Sequence, residues 1–538
     1  MRPNRCPSLP VAGRFGLPSR FGLPFPAGTF PEASHLGVTP HACSGRFGWL
    51  NSRSIAGQFT DATSCRTLQT LSEANCRLLH RQIAETLRDR FPERASATPE
   101  IVARHFEGAG DLPLALSWFE RAAESALSNG FLPEAARLSK KALEVLALCP
   151  PEPDLRSREI RLLVKLGTLL IDMEGRGSQE GERTIKKACA LAESGTTMKE
   201  ETFYAFYNLW DSRYGKADIR ASRDMANSLL GLVERSYHRD FRIASLHADG
   251  STAYWEGRFL HSLESLDRAI ALGQDPGTGP EARSSVREAL DYRLWTLWSL
   301  GRYRSARDLA DRLLSEDRSS GINRKKGHLL TFSMVLFCHL GLPDRVLEIA
   351  DELHQAILTM KVPAWSGSER AFRGWAMVKK GNPEGLDLVL LGLRRARIYH
   401  RIAENKYLPL LAECWILLGE PKKAAGCAMS GLRFSQKSGT TFIDAELWRL
   451  KGEALLLEGN RGEAEGCFET ALVLSRRQRA RALEIKALTS LAKLIDTDAR
   501  KERTRELLSG LSDLIDDPEA DPSLPDIREA RDLRTRLS

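Results

Sequence analysis

The chain has 538 residues, 42% apolar and 28% charged, the balance of an ordinary folded protein rather than a membrane-embedded or wholly disordered one. Its 78 basic and 70 acidic residues leave a net charge of +8. Six arginines against the single acid Glu32 place +5 of that in residues 1–60, so the rest carries only +3 (8 − 5), too little to imply nucleic-acid binding.

The ten cysteines include no C-x-x-C pair. Cys338, Cys414, Cys427 and Cys467 lie in apolar helical stretches, where a free Cys acts as a small hydrophobe. A reducing, cytoplasmic compartment without a disulfide framework is expected. No run reaches 18 consecutive apolar residues, so no membrane span is expected. The N-terminus lacks the apolar core of a secretory signal.

Residues 1–66 contain a near-duplication, Arg14-Phe15-Gly16-Leu17-Pro18 and Arg20-Phe21-Gly22-Leu23-Pro24. Gly, Pro, Ser and Phe dominate without helical period, which predicts a disordered segment. The alternative is a misassigned translation start. From Leu68 the texture changes. Leu78, Leu79, Ile83, Ala84 and Leu87 recur at helical spacing up to Phe91-Pro92. Further helices are expected from Pro99 through Phe106, from Leu112 to Leu127 and from Pro133 to Leu148, broken by Gly110 and Gly130. The Pro150-Pro151-Glu152-Pro153 cluster marks a boundary. Arg158–Met173 and Glu182–Glu193 then form a hairpin around a loop with Gly175, Gly177 and Gly181, and residues 200–235 are helical but off-pattern.

A spaced pattern runs through the chain. It reads small residue, Gly seven later, small five on, bulky four on, small three on. Gly250, Gly257, Ser262, Leu266 and Ala269 form one copy, and Gly452, Gly459, Ala464, Phe468 and Ala471 another. Gly257, Gly301, Gly341, Gly381, Gly419 and Gly459 are spaced 44, 40, 40, 38 and 40 residues apart. Two helices and two turns fill such a unit, and stacked units of this kind form solenoids. Small residues such as Gly250, Gly374, Ala412 and Gly452 let the second helix cross close over the first. The expected fold is therefore an all-α solenoid of helical hairpins behind a disordered N-terminal segment. The expected divisions are 1–66, irregular hairpins over 67–150, divergent hairpins over 151–240, a regular array over 241–480 and capping helices over 481–538.

The segment Asp444 through Ala471, with Trp448, Gly452, Ala464, Phe468 and Ala471 in place, resembles a tetratricopeptide repeat. Leu79-His80-Arg81-Gln82-Ile83-Ala84, Ala103-Arg104-His105-Phe106, Ser475-Arg476-Arg477-Gln478 and Leu524-Pro525-Asp526-Ile527-Arg528-Glu529-Ala530 extend the likeness over roughly residues 70–535. They are similar to the C-terminal repeat region of bacterial AAA/STAND-type signalling ATPases, linked in that family to adenylate cyclases or transcriptional regulators. The resemblance implies a protein-interaction or sensor module. Its alternatives are the regulatory part of a truncated or split ATPase or cyclase, or the effector-sensing domain of a transcriptional regulator. No G-x-x-x-x-G-K-[ST] occurs, so nucleotide hydrolysis is carried over to no residue.

No catalytic, cofactor or metal site is expected. The eleven His are scattered, and the adjacent Cys338-His339 points to two faces of one helix. There is no G-x-S-x-G. The runs Arg394, Arg395, Arg397, Arg401 and Arg476, Arg477, Arg479, Arg481 have acids nearby and no interleaved aromatics, so solvated helix ends are expected rather than nucleic-acid contacts. The expected partner is a protein or peptide held in the concave face. By their offset from the small residue, Ser251, Tyr254, Trp295, Trp298 and Trp375 would face that groove, with His247 and His339 beside them. The alternative is that these rings fill the core between hairpins, as Trp415 and Trp448 are expected to do.

Overall fold

Most described hairpin turns of this chain rest on a glycine, and the one between Gly215 and Ile219 rests on Ala217 at φ +63°. Gly110, Gly130, Gly257, Gly301, Gly341, Gly381, Gly419 and Gly459 all hold positive φ, from +70° to +88°, where any other L-residue would press its Cβ on the backbone. The computed structural model describes residues 72–150, 154–174, 178–193, 200–234, 238–317, 324–360, 365–399, 401–495 and 501–537. The expectation of disorder over 1–66, and the loop glycines Gly175 and Gly177, lie outside them.

Among the described residues there are 24 α-helices and no strand. The first five are α1 (Glu73–Arg90), α2 (Pro92–Ala97), α3 (Pro99–Gly108), α4 (Leu112–Ser128) and α5 (Leu132–Leu148). Proline in the first turn starts α2 and α3, where a missing N–H costs nothing. Asp111 caps α4 by accepting from the Leu114 N–H at 3.4 Å. Next come α6 (Leu155–Glu174), α7 (Gln179–Glu193), α8 (Glu200–Gly215) and α9 (Ile219–Glu234). Gly181, expected in a loop, is inside α7. A Cβ there would stand 2.8 Å from Ile171, so its role is close helix packing.

The regular hairpins follow as pairs: α10 (Arg239–Trp255) with α11 (Phe259–Leu272), α12 (Pro280–Ser299) with α13 (Tyr303–Asp317), and α14 (Arg324–His339) with α15 (Pro343–Met360). They continue as α16 (Ser366–Lys379) with α17 (Gly385–Tyr399), α18 (Glu404–Leu417) with α19 (Pro421–Ser438), and α20 (Asp444–Leu457) with α21 (Arg461–Gln478). The last three are α22 (Arg481–Ile495), α23 (Lys501–Ile515) and α24 (Pro525–Leu537). The small residues sit where the helices of a pair cross. A Cβ on Gly250 would lie 2.8 Å from Leu266, and one on Gly374 would strike the backbone carbonyl of Gly385. The fold is an all-α solenoid of tetratricopeptide-like hairpins.

One apolar cluster runs from Ala84 to Leu170, past the prolines at 150–153, and the largest runs from Phe203 to Leu533. The second cluster closes on itself. The Thr441 N–H donates to the Trp255 carbonyl at 2.8 Å, and the Arg304 N–H to the Glu519 carbonyl at 3.2 Å. Ser305 and Arg307 reach Glu519 and Asp521 at 2.8 Å. Hairpin turns of one half of the array therefore rest on elements near the C-terminus.

Candidate functional site

The first helices of successive hairpins lie side by side, and they are joined by hydrogen bonds at close to the repeat period. The Tyr207 hydroxyl pairs with His247 Nδ1 at 2.8 Å, 40 residues on. Trp210 Nε1 donates to Thr252 Oγ1 at 2.9 Å, Trp295 Nε1 to the Phe332 carbonyl at 2.9 Å, and Trp375 Nε1 to Glu413 Oε2 at 2.7 Å. The Ser368 and Tyr407 hydroxyls meet at 2.6 Å. Trp255 Nε1 donates to the hydroxyls of Tyr214 and, at 3.3 Å, of Tyr292. The ladder includes α8, within the stretch whose sequence is off-pattern, and the Thr168 hydroxyl of α6 already donates to Asn208 Oδ1 of α8 at 3.0 Å.

Burial decides between groove and core for the aromatic set. His247, Ser251, Tyr254, Trp295, Trp298 and Trp375 are each 0–1% exposed. They do not line an open groove; they fill the interior where one turn of the solenoid meets the next. Tyr254 packs against Phe442 at 5.3 Å and against Trp295 at 5.6 Å between ring centroids. His339 is half-buried and stacks on Trp298 at 4.1 Å. Burial, with the nearby Lys486 ammonium, lowers its imidazole to about 3, so it is a neutral packing group at physiological pH. Trp415 and Trp448, expected in the core, are the partly exposed ones, covered by Lys423 at 4.4 Å and Lys451 at 4.8 Å. The offset rule takes no account of the neighbours on the far side of each first helix.

Those neighbours include charges. The Lys406 ammonium sits 5.0 Å over the Trp295 ring. Glu413 pairs with Lys379 at 2.8 Å, Glu446 with Arg449 at 2.8 Å, and Lys486 with Asp526 at 3.4 Å and Glu446 at 3.7 Å. Burial alone would raise the Glu413 and Glu446 carboxyls. The lysines about Glu413, and Arg449 with Lys486 about Glu446, outweigh it and hold both below the usual carboxylate range. Burial alone would raise Asp249 too. Its bonds from His261 at 2.8 Å, Ser265 at 2.6 Å and Arg223 keep it ionised.

What remains on this face is a crevice of about 30 Å³ between α8, α10, α12 and α14. Trp210, Tyr214, Tyr292 and His247 line it as buried side chains, and Phe332, Asp211, Glu288 and His328 as half-buried ones. His247 Nε2 lies 3.7 Å from Glu288. Of the seven residues singled out from sequence, only His247 touches this crevice. The signal for the others was present: His247, Glu288 and His328 occupy one register, and Tyr292 and Phe332 another, at steps of 41 or 40 residues. Among the described residues no group of three His, Cys, Asp or Glu side chains is placed to hold a metal ion, and no helix is long and apolar enough to cross a membrane.

No protein-family model matches the chain, and no curated protein matches it. It is similar to several solved structures at low identity. A Rap protein complexed with competence and sporulation factor is 10% identical, with 71% of this chain and 99% of that one covered and a TM-score of 0.48. NprR in complex with its cognate peptide NprX is 14% identical, with 68% and 100% covered and a TM-score of 0.49. The apo form of the quorum sensor NprR from B. thuringiensis is 15% identical, with 67% and 97% covered and a TM-score of 0.42.

Proposed function

We propose that this protein is a non-catalytic sensor or interaction module that binds a peptide or a segment of a partner protein on the inner face of its solenoid. The observation that carries the reading is the crevice where the half-buried Phe332 ring stands with the half-buried carboxylates Asp211 and Glu288. An aromatic ring beside carboxylates favours a Lys or Arg side chain. Residues Tyr254, Trp295, Trp298 and Trp375 act behind this surface by holding the first helices in register. The likeness of residues 70–535 to the repeat regions of signalling ATPases supports a setting in a cytoplasmic bacterial signalling system, beside a separate nucleotide-hydrolysing protein.

The test is selection of peptides from a displayed library against the full chain, followed by calorimetry on the selected sequences. Peptides carrying a basic residue are expected, with binding weakened about tenfold, roughly 1.4 kcal/mol, by Asp211→Ala with Glu288→Ala. Enrichment of no peptide, or unchanged affinity in that double variant, would overturn the site. ATP hydrolysis by the purified chain would overturn the non-catalytic reading.

A further inference from the structure

Where the two turns of the solenoid meet they leave a cavity of about 560 Å³, separate from the inner crevice. It lies between the turn that links α10 to α11 and the elements around Thr441 and Gln478. Its wall is basic. Arg258 stands at the N-cap of α11, Arg477 in the last turn of α21, and Arg479 at the C-cap of α21. Arg479 holds a left-handed φ of +56°, a conformation that only Ala217 shares among the described non-glycine residues.

The arginines have spare capacity. Arg477 and Arg479 are exposed and have no ion-pair partner among the described residues. Of the two carboxylates on the wall, Glu256 is taken up by Arg223 at 2.9 Å and Arg258 at 3.4 Å. Asp444 accepts from the Ser435 hydroxyl at 2.5 Å, and burial pushes its carboxyl up to about 7, so it opposes an anion only weakly at neutral pH. The first backbone bond of α11 runs from the Ser262 N–H to the Arg258 carbonyl, and no side chain caps that turn. The N–H groups of the residues between them are left without an intrahelical acceptor. Leu260 and Leu474 add an apolar strip.

We propose that this cavity is a second binding site, for a small organic ligand bearing phosphate or carboxylate oxyanions, and that the ligand clamps one turn of the solenoid to the next. Arg477 and Arg479 pair with the oxyanion in the fork geometry guanidinium groups favour, and the leucines cover the carbon skeleton. Because Thr441 lies on the wall and donates to the Trp255 carbonyl, a ligand there braces the cross-turn hydrogen bonds.

The experiment titrates the full chain with pyrophosphate and, separately, with citrate by calorimetry. It is repeated on Arg477→Gln with Arg479→Gln, and on Lys422→Gln with Lys437→Gln, a control that removes the same charge from exposed positions on α19. All four positions are exposed, so the variants keep the fold, which circular dichroism checks. At least one probe is expected to bind the parent chain, about tenfold more weakly to the arginine variant and unchanged to the lysine control. Pyrophosphate alone would assign a phosphate ligand, and citrate alone a carboxylate. The bound probe is also expected to slow amide exchange at Thr441 and Phe442. Binding of neither probe, equal losses in both variants, or binding without protection of those amides would overturn the site. None of these outcomes touches the peptide reading, whose residues lie elsewhere.

Discussion

Thr441 and Glu256 stand 185 residues apart, yet the Thr441 hydroxyl donates to the Glu256 carbonyl at 2.7 Å. In an open solenoid each repeat touches only its neighbours, and stability is a sum of nearest-neighbour terms. Here a hydrogen-bonded seam adds a term that spans the array. Thr441→Val removes the donor while keeping the shape, and should cost about 1 kcal/mol in urea unfolding. It should also speed amide exchange at Phe442, whose N–H donates to Trp255 at 3.2 Å. A loss of stability with no change at Phe442 would place the effect away from the seam.

Two glycines separate turn geometry from seam packing. Gly257 and Gly381 both hold positive φ, at +70° and +88°. A Cβ on Gly381 meets nothing within 4 Å, whereas one on Gly257 runs into the Gln478 side chain. Gly381→Ala should cost about 1–2 kcal/mol for the left-handed backbone alone. Gly257→Ala should cost about 1 kcal/mol more, because Gln478 must give up its 2.8 Å bond to the Thr441 carbonyl. Equal losses in chemical denaturation would mean that the seam contributes nothing at this point.

Trp375→Phe tests the core role of the aromatic set. It removes the 2.7 Å bond to Glu413 and leaves a carboxylate that Lys379 alone must satisfy. A destabilisation of about 1–3 kcal/mol is expected, with affinity for inner-face peptides unchanged. Lost peptide affinity at unchanged stability would return Trp375 to the binding surface.

Stability should bend with pH in two opposed ways. Burial, aided by His80 at 2.9 Å, lowers His105 from 6.5 to about 4, and His339 lies near 3. Between pH 6.5 and 4 the unfolded chain therefore binds more protons than the folded one, so stability is lost as pH falls through that window. Asp444 works the other way. Its folded value near 7 lies above the ordinary 3.8, so the folded chain holds the proton longer and stability is lost as pH rises from 3.8 to 7. Asp444→Asn should consequently be more stabilising, relative to the parent, at pH 7.5 than at pH 4.5. A substitution effect that is flat between those two values would contradict the buried-carboxyl assignment.

Most of the hairpins could be read from the residues, and the reasons are local. Turn glycines, first-turn prolines and the small residues at Gly250 and Gly374 act within one helix pair, so a spacing rule finds them. Gly181 misled because a glycine that packs two helices together looks, in a short run, like one that ends a helix. Part of the off-pattern stretch joins the same ladder as the regular hairpins. Tyr207, Trp210 and Tyr214 in α8 already join the ladder, through polar and aromatic contacts that a rule built on small residues does not register.

By itself the sequence determined the helices, their pairing and the roughly 40-residue repeat, because these follow from backbone sterics and contacts within a few turns of chain. Only the tertiary structure decided which face of each first helix meets solvent. That depends on the pitch of the whole array, which accumulates from small rotations between hairpins and brings Trp255 to Phe442 and Gly301 to Arg481. Rings that a single hairpin would leave on an open inner face are buried by a turn of the same solenoid, and that closure leaves a small inner crevice and the larger arginine-lined cavity.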